Sequence, residues 1–378
     1  MTDGERIVRC LTGGDIDRVP FGCGLGWHFW TETHAAFKTA WQAEGGVGEF
    51  DYPKIFGYDH SFANVPYEAG VFPRLEETII EETDEFRIER DWRGITMRTM
   101  KSNRSMPEFL DYPVKTPEDW DRFKSERFSL TPASLDARLA AREDEMRRYV
   151  DWVKATGSAA QIGEYPLGAF GCVRDFMGAE EVLMAFCTEP EMIKDMMLTC
   201  ATMWLAVYER VCDRLARDGI AVDCFHFWED MSGRNGSLIS PAMVEEFMMP
   251  VYDMVADFCR AKNIRVISVD TDGDCRELVP IMMKHGVNAF TPFEVQAGCD
   301  IREYRKLYPT LGIIGGLDKR AMARNPAAVD EQIALAEEMV KHGRYVPGFD
   351  HHIPSDCKYE LYKRAVEGIK KVCRRKGF

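Results

Sequence analysis

The 378-residue chain has no CxxC pair, no run of eighteen apolar residues and no surplus of basic charge. Each absence removes a class of protein. Without paired cysteine spacing, the twelve cysteines read as free thiols rather than a disulfide framework. Without a long apolar run no membrane-spanning helix is expected, and the opening MTDGERIVRC carries no apolar signal segment; a soluble, cytoplasmic protein follows as the expectation. The formal charge of −14 excludes a sequence-independent nucleic-acid surface, which needs a basic face. It also weighs against a polyanionic substrate, although a few local arginines would override it. A complete GxGxxG is missing too. The nearest stretch, GCGLGW, lacks the third glycine, which counts against a dinucleotide-binding sheet.

What is present is ample for a packed core: 46% of residues are apolar and 11% aromatic. Most of the twenty methionines, as in MIKDMML, read as core filler. DRVPFGCGLGW looks like a first strand with a glycine-rich exit. Residues 75–105 alternate apolar and charged positions around Arg93-Gly94, which predicts an antiparallel β-hairpin excursion. Thr116, ahead of Pro117, predicts a helix start, and SLDARLAAREDEMRRYVDWVKATG reads as one surface helix. From Gly157 onward strands and helices alternate. Thr188 with Glu191 reads as a capping box, and Ser240 before Pro241 as an N-cap.

Such alternation implies parallel strands, because each crossover carries the chain back over the sheet. The predicted strands carry their acids at their last positions: Glu229, Asp270, Glu294, Asp318 and Asp350. A (β/α)8 TIM barrel gathers all strand carboxyl ends into one mouth, where chemistry sits. The expectation is therefore one barrel domain over residues 1–378, with an N-terminal antiparallel elaboration.

The stretch RVISVDTDGDCRELVP places Asp270, Asp272 and Asp274 in five residues, and carboxylates so close repel unless water, a cation or a proton intervenes. Asp274 is expected to cap the next helix; Asp270 and Asp272 are expected in the site floor. Glu229, rarely buried without a partner, is expected to meet a cation or a substrate proton. His226 on its apolar strand is either a core histidine or a substrate contact. Glu164 and Tyr165 fall at another strand end, where a tyrosine can donate to a developing oxyanion. Trp27, His28 and Trp30 form either packing or an aromatic wall for a flat ligand. Asp318, Lys319 and Arg320 are expected to make a buried ion pair at the mouth. Adjacent His351 and His352 should point to opposite sides of an extended chain.

Five segments in order, FWEDMSGRNGSLISPAMVEEFMMPVYDMV, ISVDTDGDCRELVP, FTPFEVQAGCDIREYRK, IIGGLDKRAMA and YVPGFDHHIPSD, together resemble the uroporphyrinogen decarboxylase (URO-D) superfamily. They look most like its divergent branch grouped with corrinoid-dependent methyltransferases. The resemblance runs from about Gly157 to the C-terminus and implies the same barrel. True uroporphyrinogen decarboxylases carry an arginine-rich RQAGR-type motif for a substrate with eight carboxylates; here GLGWHFWTETH stands in that region. Many carboxylates need several guanidinium forks, so porphyrin decarboxylation is disfavoured. Relatives that methylate thiols hold zinc through a His-x-Cys pair plus a distant cysteine, and aligning VDTDGD with that pair puts Asp270 and Asp272 at its positions. The soft ligands are missing, which points to the opposite half-reaction: a methyl group leaves a small donor, an aryl methyl ether among the candidates, for cob(I)alamin on a partner corrinoid protein. On this reading Zn2+ is held by some of Glu229, Asp270, Asp272 and His351. His351, at the family's histidine position, joins Tyr165, Glu229 and Asp270 as catalytic residues, and Trp27, His28, Trp30, Glu164, His226 and Glu294 contact the substrate. The alternatives are a uroporphyrinogen-type decarboxylase and a non-catalytic barrel that binds a small ligand.

Overall fold

The computed structural model describes residues 1–25, 29–102, 106–163 and 167–374. Seven parallel strands form its central sheet: β1 (Phe62–Asn64), β2 (Ala159–Gly163), β3 (Val222–Trp228), β4 (Val266–Asp270), β5 (Ala289–Thr291), β6 (Gly312–Leu317) and β7 (Tyr345–Phe349). They pair in chain order, each with the next. All residues of β2, β6 and β7 are buried, as expected of parallel strands covered on both faces. The helix Pro190–Arg217 supplies the largest single covering element, with Trp204 and Tyr208 fully buried.

The first helix, α1 (Asp3–Thr12), lies across the base of the sheet. Its Ile7, Val8, Cys10 and Leu11 pack among Ala159, Cys224, Val266, Ile314 and Val346, residues at or near the amino ends of the strands. The approach is close enough to require glycine at position 4, where a Cβ would stand 2.1 Å from Ala159 N.

The expected first strand, DRVPFGCGLGW, does not form among its described residues. Pro20 has no N–H to give a ladder, and Gly22 and Gly24 adopt φ of +111° and +80°, outside the extended region. The segment still spans the gap between the sheet edges. Asp59 N, just ahead of β1, donates to Phe21 O at 2.8 Å, and Phe349 N on β7 donates to Gly24 O at 2.9 Å.

The antiparallel excursion is larger than the hairpin expected over 75–105. Four strands, Thr78–Glu82, Phe86–Arg90, Thr96–Met100 and Glu108–Asp111, form a separate meander. Two helix readings change as well. SLDARLAAREDEMRRYVDWVKATG breaks into Pro132–Ala140 and Glu143–Thr156. Arg138 in the first of these is wholly buried, its guanidinium donating to the carbonyls of Glu68, Gly70, Phe72 and Arg127. Thr188 ends the helix Ala179–Thr188 instead of capping the next; its hydroxyl donates to Met184 O at 3.3 Å. Thr116 and Ser240 are side-chain caps as read. Among the described residues, no helix is long and apolar enough to cross a membrane.

Candidate active site

Alternation along β3 and β4 decides which side chains face the interior of the sheet. Cys224 and Val266 meet α1 at the base, so His226, Trp228, Ser268 and Asp270 share their side. His226 Nδ1 and Ser268 Oγ are 2.7 Å apart. Burial lowers the His226 pKa to about 4, so this imidazole is neutral near pH 7 and is a partly accessible hydrogen-bonding group of the interior. Thr291, two residues beyond Ala289 on β5, has a buried hydroxyl without a hydrogen-bond partner among the described residues.

Glu229, the residue after the end of β3, turns its carboxylate toward the helices. It is fully buried. Its Oε1 accepts from Ala169 N (2.8 Å) and Tyr252 Oη (2.8 Å), and its Oε2 from Phe170 N (2.7 Å) and Gly171 N (3.1 Å). Those amides open the helix α2 (Ala169–Met177), whose unpaired N–H groups and positive dipole end favour a carboxylate. Burial raises the Glu229 pKa, with the four donors acting against that rise. This side chain anchors a helix and does not enter the mouth, which corrects the expectation of a metal-binding or catalytic Glu229.

Past β4 the chain turns, and Asp272 meets His351: Nε2 and Oδ2 are 3.1 Å apart, with 26% and 31% of the respective side chains exposed. Burial opposes charge on the ring, but the hydrogen bond and negative charge of Asp272 outweigh it, and the His351 pKa is raised. His352 does not point away as alternation would require. β7 ends at Phe349, the chain bends, and the two imidazoles stand edge to face with centroids 4.4 Å apart. The Trp30 ring is 5.6 Å from His352. Trp30, His352, His351 and Asp272 thus form a continuous row along the mouth.

A second network supports the row. Asp350 is fully buried and accepts from Lys319 N and Val295 N, each at 2.9 Å; burial raises its pKa while Lys319 opposes the rise. Lys319 Nζ lies 3.0 Å from Glu294 Oε1 and 4.0 Å from Asp350 Oδ1. Glu294 Oε2 accepts from Gly273 N at 3.0 Å, tying this network to the Asp272 turn. Glu294 is therefore engaged in support, although it still lines a cavity. The ion pair expected within Asp318-Lys319-Arg320 is redistributed: Asp318 pairs with Arg324, Lys319 with Glu294. Asp274 accepts from Arg276 N and its guanidinium, so it closes the turn before the helix Leu278–Lys284 without capping it. Trp27, His28, Glu164 and Tyr165 lie outside the described residues.

The URO-D (uroporphyrinogen decarboxylase) family model matches residues 94–372. The chain belongs to the URO-D family. Among solved structures, a methyltransferase from Methanosarcina mazei is similar over 98% of this chain and 99% of its own, with a TM-score of 0.62 and 13% identity, a likeness of fold. The putative vitamin-B12 independent methionine synthase from Listeria monocytogenes aligns over 57% of this chain and 62% of its own, at 13% identity and a TM-score of 0.31, too loosely to bear on the architecture. No curated protein matches.

Within this URO-D-family fold, the zinc set expected from the resemblance does not assemble. Glu229 spends both oxygens on four donors, and Asp270, beside Trp228 at the end of β4, has an interaction of its own. Among the described residues, no group of three His, Cys, Asp or Glu side chains is placed to hold a metal ion. Of the four, Asp272 and His351 come together. Sequence reasoning anticipated a supporting ion pair at Lys319 but not its partner Glu294, and it missed the Ser268 partner of His226; the period-two alternation that places Ser268 inward was available to find the latter.

Proposed function

We propose that this URO-D-family chain is a methyltransferase that moves a methyl group from oxygen or nitrogen of a small donor to cob(I)alamin on a separate corrinoid protein. The observation that carries the reading is His351, held toward its charged form by Asp272 at the strand ends. An alkoxide or phenoxide leaves carbon poorly, and a positioned acid removes that obstacle. The bond from the methyl carbon to the donor oxygen breaks, its electron pair stays on oxygen, and that oxygen takes a proton from His351 Nδ1, the nitrogen not engaged by Asp272. The corrinoid supplies the nucleophile and receives the methyl group. Neutral His226 and Ser268 orient the donor from the interior, and the row through Trp30 and His352 forms one wall. The whole-length likeness to a methyltransferase supports this choice within the family, and the lack of an arginine cluster argues against a porphyrin. In the same reading residues 1–378 make one domain, Phe21–Gly24 stands as the eighth stave of a (β/α)8 barrel, and Tyr165 is a second donor to the leaving group.

The test is the spectral change from cob(I)alamin to methylcobalamin with a panel of methoxylated aromatics and methylated amines. Family membership favours one other reading, decarboxylation. Release of carbon dioxide from uroporphyrinogen, with no donor changing the cobalamin spectrum, would establish it instead.

A further inference from the structure

In this acidic chain most cations around the mouth already face a carboxylate. Lys319 meets Glu294 and Asp350, Arg324 meets Asp318, Arg276 meets Asp274, and Arg174 meets Asp230. The guanidinium groups of Arg234 and Arg320 have no carboxylate within 4.0 Å among the described residues. Both line one cavity of about 320 Å³, together with Gln296, Ser232, Gly273 and Glu294.

Neither arginine is placed at random. Arg234 occupies the tip of a short hairpin in which Ser232–Gly233 pairs with Gly236–Ser237. That hairpin is held against the Asp272 turn: Asp274 N donates to Gly233 O at 2.9 Å, and Met231 N to Thr271 Oγ1 at 3.1 Å. A Cβ at Gly273, whose φ is +72°, would lie 2.5 Å from Gly233 O, so turn and hairpin are in backbone contact. Arg320 is fixed by its N–H on Asp318 Oδ1 (2.9 Å) and by a guanidinium bond to Gln296 Oε1 (3.2 Å). The one carboxylate on the wall, Glu294, is already satisfied by Lys319 and Gly273.

We propose that Arg234 and Arg320 form an anion subsite beside the Asp272–His351 pair, and that it selects a donor bearing a carboxylate. A guanidinium is always charged and presents its donors in a planar fork matched to a carboxylate. One anionic group is compatible with the overall charge of −14, where eight would not be. The proposal rests on the methyltransferase reading for the word donor, but the subsite itself is testable without it.

The experiment is calorimetric titration of the purified protein, without corrinoid, by 4-methoxybenzoate and by the neutral 4-methoxybenzyl alcohol. The acid is expected to bind about tenfold more tightly or better, since a hydrogen bond to a charged group is worth about a factor of ten or more. Arg234→Ala/Arg320→Ala should erase that difference and leave the alcohol unchanged. Both side chains are exposed, and an unchanged melting curve excludes a folding defect. Equal affinity for acid and alcohol, no binding of the acid, or a double variant that keeps its preference overturns the subsite. Arginine-dependent binding without methyl transfer to cob(I)alamin would retain the subsite and reject the methyltransferase; methyl transfer indifferent to both arginines would do the reverse.

Discussion

Glu229→Ala should unfold the protein more readily rather than strip it of a metal. The substitution leaves the amides of Ala169, Phe170 and Gly171 and the hydroxyl of Tyr252 without their acceptor, all of them buried. A stranded buried donor costs about 1–3 kcal/mol, so four of them put the loss at about 4 kcal/mol or more, a large share of a typical stability of about 5–15 kcal/mol. With an unfolding entropy of about 2.1 cal/mol/K per residue, a chain of 378 residues should melt about 5 °C lower. Glu229→Gln keeps the shape but turns an amide toward donors, and should cost about 1–3 kcal/mol. Differential scanning calorimetry, with metal analysis on the same samples, separates the two roles. Variants that melt within about 1 °C of the parent yet lose a stoichiometric divalent ion would refute the anchor and return Glu229 to a metal site.

Three other outcomes follow from the same geometry. Because Asp272 raises the His351 pKa, methyl transfer should hold at low pH and fall as pH rises through that raised value; Asp272→Asn should move the fall to lower pH, and His351→Ala should slow transfer by about 10²–10³. The stability contributed by the pair has the same sign, present below the ordinary histidine pKa and lost as pH rises through the raised one. His226 should remain neutral in imidazole NMR down to a pH of about 4. Between there and the ordinary value of about 6.5 the unfolded chain binds the proton and the native one does not, so stability should decline as pH falls across that window. An ordinary titration would remove His226 from the buried interior. Gly168→Ala would set a Cβ 2.1 Å from Trp228 O and 2.8 Å from Glu229 Oε2, so it should lower the melting temperature, and combining it with Glu229→Ala should be less than additive.

The strand rhythm after Gly157 was legible because fully buried parallel strands are short apolar runs between amphipathic helices; β2 through β7 lie where that pattern puts them. Segments governed by backbone conformation were not. The left-handed glycines at 22 and 24 turn an apparent strand into an irregular span, and Pro190 starts a helix just where Thr188 seemed to cap one. In the site, Asp272 was singled out from its strand-end position and His351 from the family resemblance, and the structure brings these two side chains together. Glu229 was misread because its position in sequence gives proximity to the mouth but not direction. Only the packed helix α2 shows where the side chain turns, onto the amides that open it. His352 failed because alternation was applied two and three residues beyond the end of β7.

The seat of α1 bears on the order in which the molecule can assemble. Cys10 donates its thiol hydrogen to Tyr345 O, 335 residues away in sequence, and the same helix touches Val346, Ile314 and Ala159. No early portion of the chain contains that seat, because part of it is β7. Residues 3–12 leave the ribosome well before residues 345–349 and must wait, amphipathic and unpartnered, until β7 has followed. Such distant closure is paid for in loop entropy before it is rewarded by contacts. In a refolding experiment, amide protection in α1 should therefore arise no earlier than protection in β7.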